Sequence, residues 1–448
     1  MTGSVTNMER PGQKLGLLMC IALVMGNMIG SGVFLLPAAL APLGWNAVIG
    51  WGVTIGGTLC LALVLARLAR LLPGGTGPFT YAAEAFGPGV GFIVAWSFWI
   101  SCWTANAALA VAATSNLSII FPGLADEGQT PALIAIGFIW LFTAINLLGV
   151  RKAGGAQVLT WALKLLPLLG AVVVAVWVLG SGSVTPPALA NAAPVSLGNI
   201  GSAATLTLFA LLGFESALAV GDRVKDPEKT VPRATMIGAV ATGIIYLLSC
   251  TTVTMLLPVE TVQASNAPYA TFFATLVSPA AGQLVALFAA IAALGALNGF
   301  VLLVGEIPRD MAQKRQLPSL MARENRFGAP LWSLLLASSL ATLVVYANYS
   351  RGLAGLFNFM VLVTTSTAII FYMAAALAAL KFERQRRIAA SPRFAALTLT
   401  GFIYSCWAFY GAGIEASLWS LAMTATGLPI YFAMRRSTPA RCEEAPIA

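Results

Sequence analysis

Residues 26–32 read GNMIGSG, inside the apolar stretch LGLLMCIALVMGNMIGSGVFLLPAALAPLGW of residues 15–45. Gly26, Gly30 and Gly32 fall where a helix crossing a bilayer would be most regular, and Asn27 and Ser31 put polar groups at the same depth. Glycine inside a helix costs about 1 kcal/mol relative to alanine. A backbone group freed in lipid costs more, unless protein or water satisfies it. A break at Gly30-Ser31-Gly32 therefore survives only where it faces protein or a wet cavity. A second break is expected five spans later, at Leu212-Gly213-Phe214-Glu215-Ser216. Interrupted spans in corresponding positions of two halves point to a transporter site between them, near the bilayer midplane. For GNMIGSG taken alone, a packing face of small residues is the alternative.

The rest of the chain fits that reading. It has 448 residues, 58% hydrophobic and 9% charged, where a soluble domain carries about 25% charged residues. Long apolar runs recur almost throughout, which implies an all-α polytopic membrane protein. A soluble helical bundle would show polar faces, and these runs do not. Twelve spans are expected, near 15–42, 45–71, 88–120, 131–150, 155–180, 198–221, 233–257, 281–308, 329–348, 353–381, 394–412 and 415–434. The first run exceeds the ~7–15 residues of a signal-peptide core and reads as a retained helix.

The net charge of +9 does not indicate nucleic acid, because the basic residues lie in short links between apolar runs. Placing the N-terminus in the cytoplasm puts all but one of them inside, as the positive-inside rule expects. Arg351 is the exception, and Asp126, Glu127, Glu260 and Glu415 fall outside with it. Both termini, 1–14 and 435–448, are then cytoplasmic tails, and the membrane is expected to be a bacterial inner membrane. The six cysteines form no CxxC pair and mostly sit in apolar runs, as packing residues. No metal or cofactor is expected. There is no histidine, so proton chemistry near neutral pH falls to a carboxylate or a lysine.

Three ionisable residues lie within spans. Lys164 sits in LTWALKLLPLLGAVVV, Glu215 in LTLFALLGFESALAV, and Glu306 in GFVLLVGEIPRDMA. Lys164 and Glu215 look deep, at a cost of ~2.5–3.5 kcal/mol or more each. Glu306 is near the inner end and reads as a cytoplasmic gate or packing residue. An unwound turn offers backbone N–H groups that suit a carboxylate and carbonyls that suit an ammonium. An amino acid carries both groups.

GNMIGSGVFLLPA, GFES and VKDPEKTVPRA together resemble the amino acid–polyamine–organocation transporter superfamily. FGPGVGF and FWISCWTANAALAV narrow the resemblance to the arginine/agmatine antiporter branch. It covers nearly the whole chain. It implies a five-plus-five inverted repeat, 15–180 and 198–381, with broken helices 1 and 6 and two further helices in 394–434. It implies that Asn27, Ile29, Gly30, Ser31 and Gly32 bind the substrate α-amino and carboxylate groups, together with Leu212 in the second break. Asn106 and Leu109 match side-chain contacts. Phe209 matches a gating aromatic and Phe300 one that stacks on the guanidinium, both tryptophan in that branch. Ala210 replaces a serine, and Phe98 replaces a tyrosine of the outer gate. Glu215 matches a carboxylate tied to proton-sensitive release. Lys164 departs from that branch and matches relatives in which an ammonium occupies a sodium site. The branch is commonly dimeric, so a homodimer is the partner it implies, beside lipid and a small amino acid or polyamine.

Each residue has a plainer alternative. Lys164 pairing with a carbonyl, Glu215 as a hydrogen-bonded structural group, Phe209 and Phe300 as core aromatics, and Asn106 as an interhelical hydrogen bond are the structural readings. The expected function is sodium-independent amino acid transport by alternating access, as an exchanger or a proton-coupled permease. Strict arginine/agmatine exchange is the narrower alternative. A channel would need a continuous polar pore, and a sensor would need binding without transport. An enzyme would need a nucleophile–base pair, a metal cluster or a soluble domain, and none is recognisable.

Overall fold

The apolar runs form helices, as their composition demands in lipid. The computed structural model describes residues 16–30, 32–71, 79–125, 129–149, 154–182, 193–214, 224–388 and 391–437. The first run is α1 (Leu17–Met28) and α2 (Gly32–Leu40), the latter extended by a short 3-10 turn to Leu43. The two are inclined by 51°. Then follow α3 (Trp45–Leu71), α4 (Phe79–Phe86), α5 (Pro88–Leu117), α6 (Thr130–Leu147), α7 (Gly154–Gly180) and α8 (Leu197–Leu211). The second half holds α9 (Pro227–Leu256), α10 (Val259–Ala264), α11 (Pro268–Leu276), α12 (Pro279–Gln313), α13 (Leu331–Ala347) and α14 (Gly352–Arg384). The chain ends with α15 (Pro392–Gly411), α16 (Gly413–Ala425) and α17 (Gly427–Ser437).

Local chemistry sets the helix ends. Proline opens α5, α11, α12 and α15, where its missing N–H costs nothing. Ser196 and Ser278 cap α8 and α12, each accepting a bond from the backbone N–H three residues on, at 3.2 Å. Gly87, at φ +92°, turns the chain between α4 and α5.

Among the described residues eight helices are each long and apolar enough to span a bilayer, and nine spans result when the bent α1–α2 pair is counted as one. Helices α8 and α13 are shorter apolar helices. α8 is short because it stops at the expected second break: Leu212 leaves helical geometry and Gly213 takes φ +100°. The last span is α16 and α17, which meet at Thr426, where the backbone stays helical and the N–H still reaches the Ala422 carbonyl at 3.2 Å. Helix α5 packs against this joint. The Trp96 indole of α5 donates to Thr426 Oγ1 at 3.2 Å and to the Met423 carbonyl at 3.4 Å. A Cβ on Gly427 would lie 2.7 Å from that ring. Short helices α4, α10 and α11 occupy links that the hydropathy pattern left featureless.

Helix α5 is the centre: 89% of its apolar window is buried, against 22% for α6. It packs on α12 and α14. The packing exchanges the two halves of the chain. Helix α1 packs on α9 while α8 packs on α3; α5 packs on α12, and α6 on α13. Helix α5 also touches α13 while α12 touches α6. Each of these pairings has its counterpart with the two halves interchanged. Such packing leaves the ends of α1 and α8 facing each other beside α5.

Candidate functional site

Helix α1 ends at Met28. Ile29 leaves helical geometry, its N–H bonding the Met25 carbonyl at 2.7 Å, and Gly30 N–H reaches the Met28 carbonyl at 2.8 Å. The last carbonyls of a helix lack intrahelical donors and carry the negative end of its dipole. Two side chains from other helices address them. Tyr246 of α9 donates to the Met28 carbonyl at 2.9 Å. Lys164 of α7, 6% exposed, directs Nζ at the Gly26 carbonyl at 3.4 Å. The carbonyl contact that is the structural reading of Lys164 is thus made, at the C-terminal end of α1.

The two breaks touch. A Cβ on Gly213 would lie 3.2 Å from the Asn27 carbonyl oxygen. A Cβ on Gly32 would lie 2.4 Å from Cε1 of Phe209, so the first turn of α2 rests directly on that ring. Only glycine permits both approaches.

A cavity of about 40 Å³ lies at this junction. Asn27, Met28, Gly30, Gly32 and Val33 line it from the first break. Ala105 and Leu109 line it from α5, Phe209, Ala210 and Leu212 from α8 and its end, and Ala296 and Phe300 from α12. A water needs ~10–15 Å³ of such space, so the cavity has room for a few waters, with Phe209 and Phe300 on its wall. Phe209 is held edge-on by Phe357 of α14, ring centroids 6.2 Å apart.

Eight of the residues expected to bind substrate thus come together: Asn27, Gly30, Gly32, Leu109, Phe209, Ala210, Leu212 and Phe300. Ile29 does not line the cavity; it is fully buried, packing beneath the turn. Asn106 does not line it either. Its neighbour Ala105 faces the space, and Asn106 is buried with its side-chain oxygen unpartnered among the described residues. The interhelical hydrogen bond offered as its structural reading is thus not made by that oxygen. Ser31 and Glu215 lie outside the described residues.

Phe98 is two helical turns before Ala105 and packs edge-on against Phe371, centroids 5.5 Å apart. Phe371 contacts Tyr372, which stacks on Phe214 at 5.3 Å. An aromatic cluster therefore sits just beyond the second break, on the side where α5 begins. Glu306 does not line the cavity: Arg309 pairs with it at 2.9 Å and also holds Glu324. Of the cysteines, Cys20, Cys102 and Cys250 are buried, Cys60 is half-buried and Cys406 is exposed, so the packing role holds for some of them only.

Met28, Val33, Ala105 and Ala296 line the cavity without having been singled out. Ala105 and Ala296 each lie one turn before a singled-out residue, Leu109 and Phe300. That i, i+4 relation was the available signal. Tyr246 had none, because its role depends on the packing of α9 against α1.

Known proteins place the chain. The amino acid permease family matches residues 15–433. The cadaverine/lysine antiporter of Escherichia coli K12 is 35% identical over 348 residues, covering 76% of this chain and 77% of its own. The putrescine transporter PotE of Escherichia coli K12 is 27% identical over 420 residues, with 93% and 95% covered. PotE of Haemophilus influenzae is 28% identical over 427 residues, with 95% and 98% covered. A match of this extent, on a polytopic helical fold, means that the chain belongs to the amino acid permease family, within the amino acid–polyamine–organocation superfamily.

Proposed function

We propose that this permease moves amino acids across a bacterial inner membrane without sodium, as an exchanger or a proton-coupled carrier working by alternating access. The observation that carries this reading is the meeting of the two helix ends, Gly213 against the Asn27 carbonyl, with a cavity at the junction. Free N–H groups in the first turn of α2 suit the substrate carboxylate. The Asn27 carbonyl and side chain suit its ammonium. Ala105, Leu109, Ala296 and Phe300 present an apolar wall to the side chain. Both termini are cytoplasmic in this reading. Residues 15–180 and 198–381 are the inverted repeats. The Phe98–Phe371 cluster then lies on the cytoplasmic side of the site, so Phe98 belongs to the inner gate and not the outer one.

A second reading is exchange of a basic amino acid for its decarboxylated amine. The names of the relatives and the arginine/agmatine resemblance motivate it. Phe209 and Phe300 on the cavity wall favour it, because an aromatic face attracts a cation. Proteoliposomes separate the two. Labelled leucine, lysine and arginine are offered in turn, with cadaverine or agmatine inside or absent, in sodium and in choline buffer. Leucine uptake indifferent to sodium supports the first reading. Uptake confined to a basic amino acid and dependent on the internal amine supports the second and refutes the first.

Two variants test individual roles. Asn106→Leu removes an unpartnered buried oxygen, so folding stability is expected to hold. If the amide completes its bonding with substrate, apparent affinity falls by roughly 3–10-fold, matching ~1 kcal/mol for a lost hydrogen bond. Unchanged affinity in a folded Asn106→Leu protein takes Asn106 out of the site. Protonation of Glu215 is proposed to bias one access state, since differential binding of a proton shifts a conformational equilibrium like any ligand. Glu215→Gln is expected to flatten the pH dependence of uptake measured between pH 5 and 8. A pH profile identical to the parent's removes Glu215 from coupling.

A further inference from the structure

The substrate cavity is not the largest hollow in the protein. A groove of about 450 Å³ runs between the end of α4 and the last turns of α14. Phe86, Leu377 and Leu380 form its apolar wall, and Lys381, Arg384 and Gln385 its polar end. We propose that this groove binds an anionic phospholipid, its acyl chain along Leu377 and Leu380 and its phosphate at Lys381 and Arg384.

The order of residues along α14 supports the assignment. Leu377, Lys381 and Arg384 recur at i, i+4 and i+7, one stripe on the helix surface. Exposed Leu377 lies about 10 Å along the axis from exposed Arg384. That span matches one interfacial layer of a bilayer, ~5–8 Å thick, plus the first methylenes below it. Apolar surface thus gives way to cationic surface over the distance at which a phospholipid changes from chain to phosphate.

The charge balance points the same way. Nearby carboxylates are engaged: Glu84 pairs with Arg387 at 2.9 Å, and Glu383 accepts from the Ser391 N–H at 2.7 Å. They leave the groove net positive. Lys381 is positioned by the end of α4, donating to the Ala85 carbonyl at 2.6 Å and lying 5.3 Å from the centre of the Phe86 ring. An ammonium has three donors, so one bond to Ala85 leaves two for a phosphate. Arg384 supplies the planar fork that suits phosphate oxygens. A lipid held here would tie α4 to α14.

The test is native mass spectrometry of the delipidated full chain, titrated with phosphatidylglycerol or with phosphatidylcholine of identical acyl chains. The probes are the parent, Arg384→Gln, and Arg323→Gln as an exposed cation outside the groove. Phosphatidylglycerol is expected to bind the parent more tightly than phosphatidylcholine. Arg384→Gln is expected to lose roughly five-fold of that preference, the effect of one cation near an anionic lipid, while Arg323→Gln retains it. Equal binding of the two lipids overturns the proposal. Equal losses in both variants overturn it too, by making the preference diffuse surface charge. Displacement of phosphatidylglycerol by millimolar inorganic phosphate would show a phosphate site without lipid selectivity, and also overturns it.

Discussion

Gly32→Ala is expected to lower amino acid uptake by about 10–100-fold while the protein still inserts and folds. The new methyl would sit 2.4 Å from Cε1 and 2.9 Å from Cδ1 of Phe209. One of the two must yield, and relieving such overpacking costs about 1–3 kcal/mol. The strain falls on the junction between the two breaks, where α2 rests on α8. It therefore penalises the states in which Phe209 closes over substrate, and each 1.4 kcal/mol is about a factor of ten. Gly52→Ala is the control. That glycine is exposed on α3, and a Cβ there meets nothing within 4 Å. Uptake per folded protein, with folding followed by size-exclusion profile, is the measurement. Equal uptake by both variants would mean that the packing of α2 on Phe209 is irrelevant to transport.

Lys164→Ala is expected to reduce uptake at least ~10-fold, and the parent is expected to transport equally in sodium and in choline. Lys164 places a buried ammonium against the Gly26 carbonyl, at the negative end of the α1 dipole. Its removal leaves that carbonyl without its donor, at ~1–3 kcal/mol for an unsatisfied buried group. It also removes the positive charge at the negative end of the α1 dipole. Lys164→Met separates the two contributions, because methionine fills the space without the charge. Near-parental uptake by Lys164→Met would reduce Lys164 to packing. Sodium-stimulated uptake by the parent would contradict the surrogate role.

The break in GNMIGSG was legible because three glycines, an asparagine and a serine crowd two turns of an apolar run and a second interrupted run follows five spans on. α3 occupies the expected 45–71, since its apolar run is bounded by Gly44 on one side and basic residues on the other. What stayed hidden depends on contacts between distant parts of the chain. Asn106 and Ala105 are adjacent in sequence, and only the rotation of α5 within the bundle decides which faces the cavity. Ile29 shares a turn with Asn27 and Gly30, yet it points into the core. The Tyr246 bond to Met28 and the Trp96 bond to Thr426 join residues 218 and 330 positions apart. No local pattern encodes either. The arginine/agmatine resemblance rested on FGPGVGF and FWISCWTANAALAV, whereas the relatives identified are named for lysine, cadaverine and putrescine.

The most direct test is counterflow in proteoliposomes. Uptake of a labelled amino acid is measured against external concentration, with the same unlabelled amino acid either inside or absent. A single site alternately exposed through the α1–α2 and α8 breaks predicts uptake that saturates and accelerates when the interior is loaded. Uptake that rises linearly with concentration and ignores the internal substrate would contradict it.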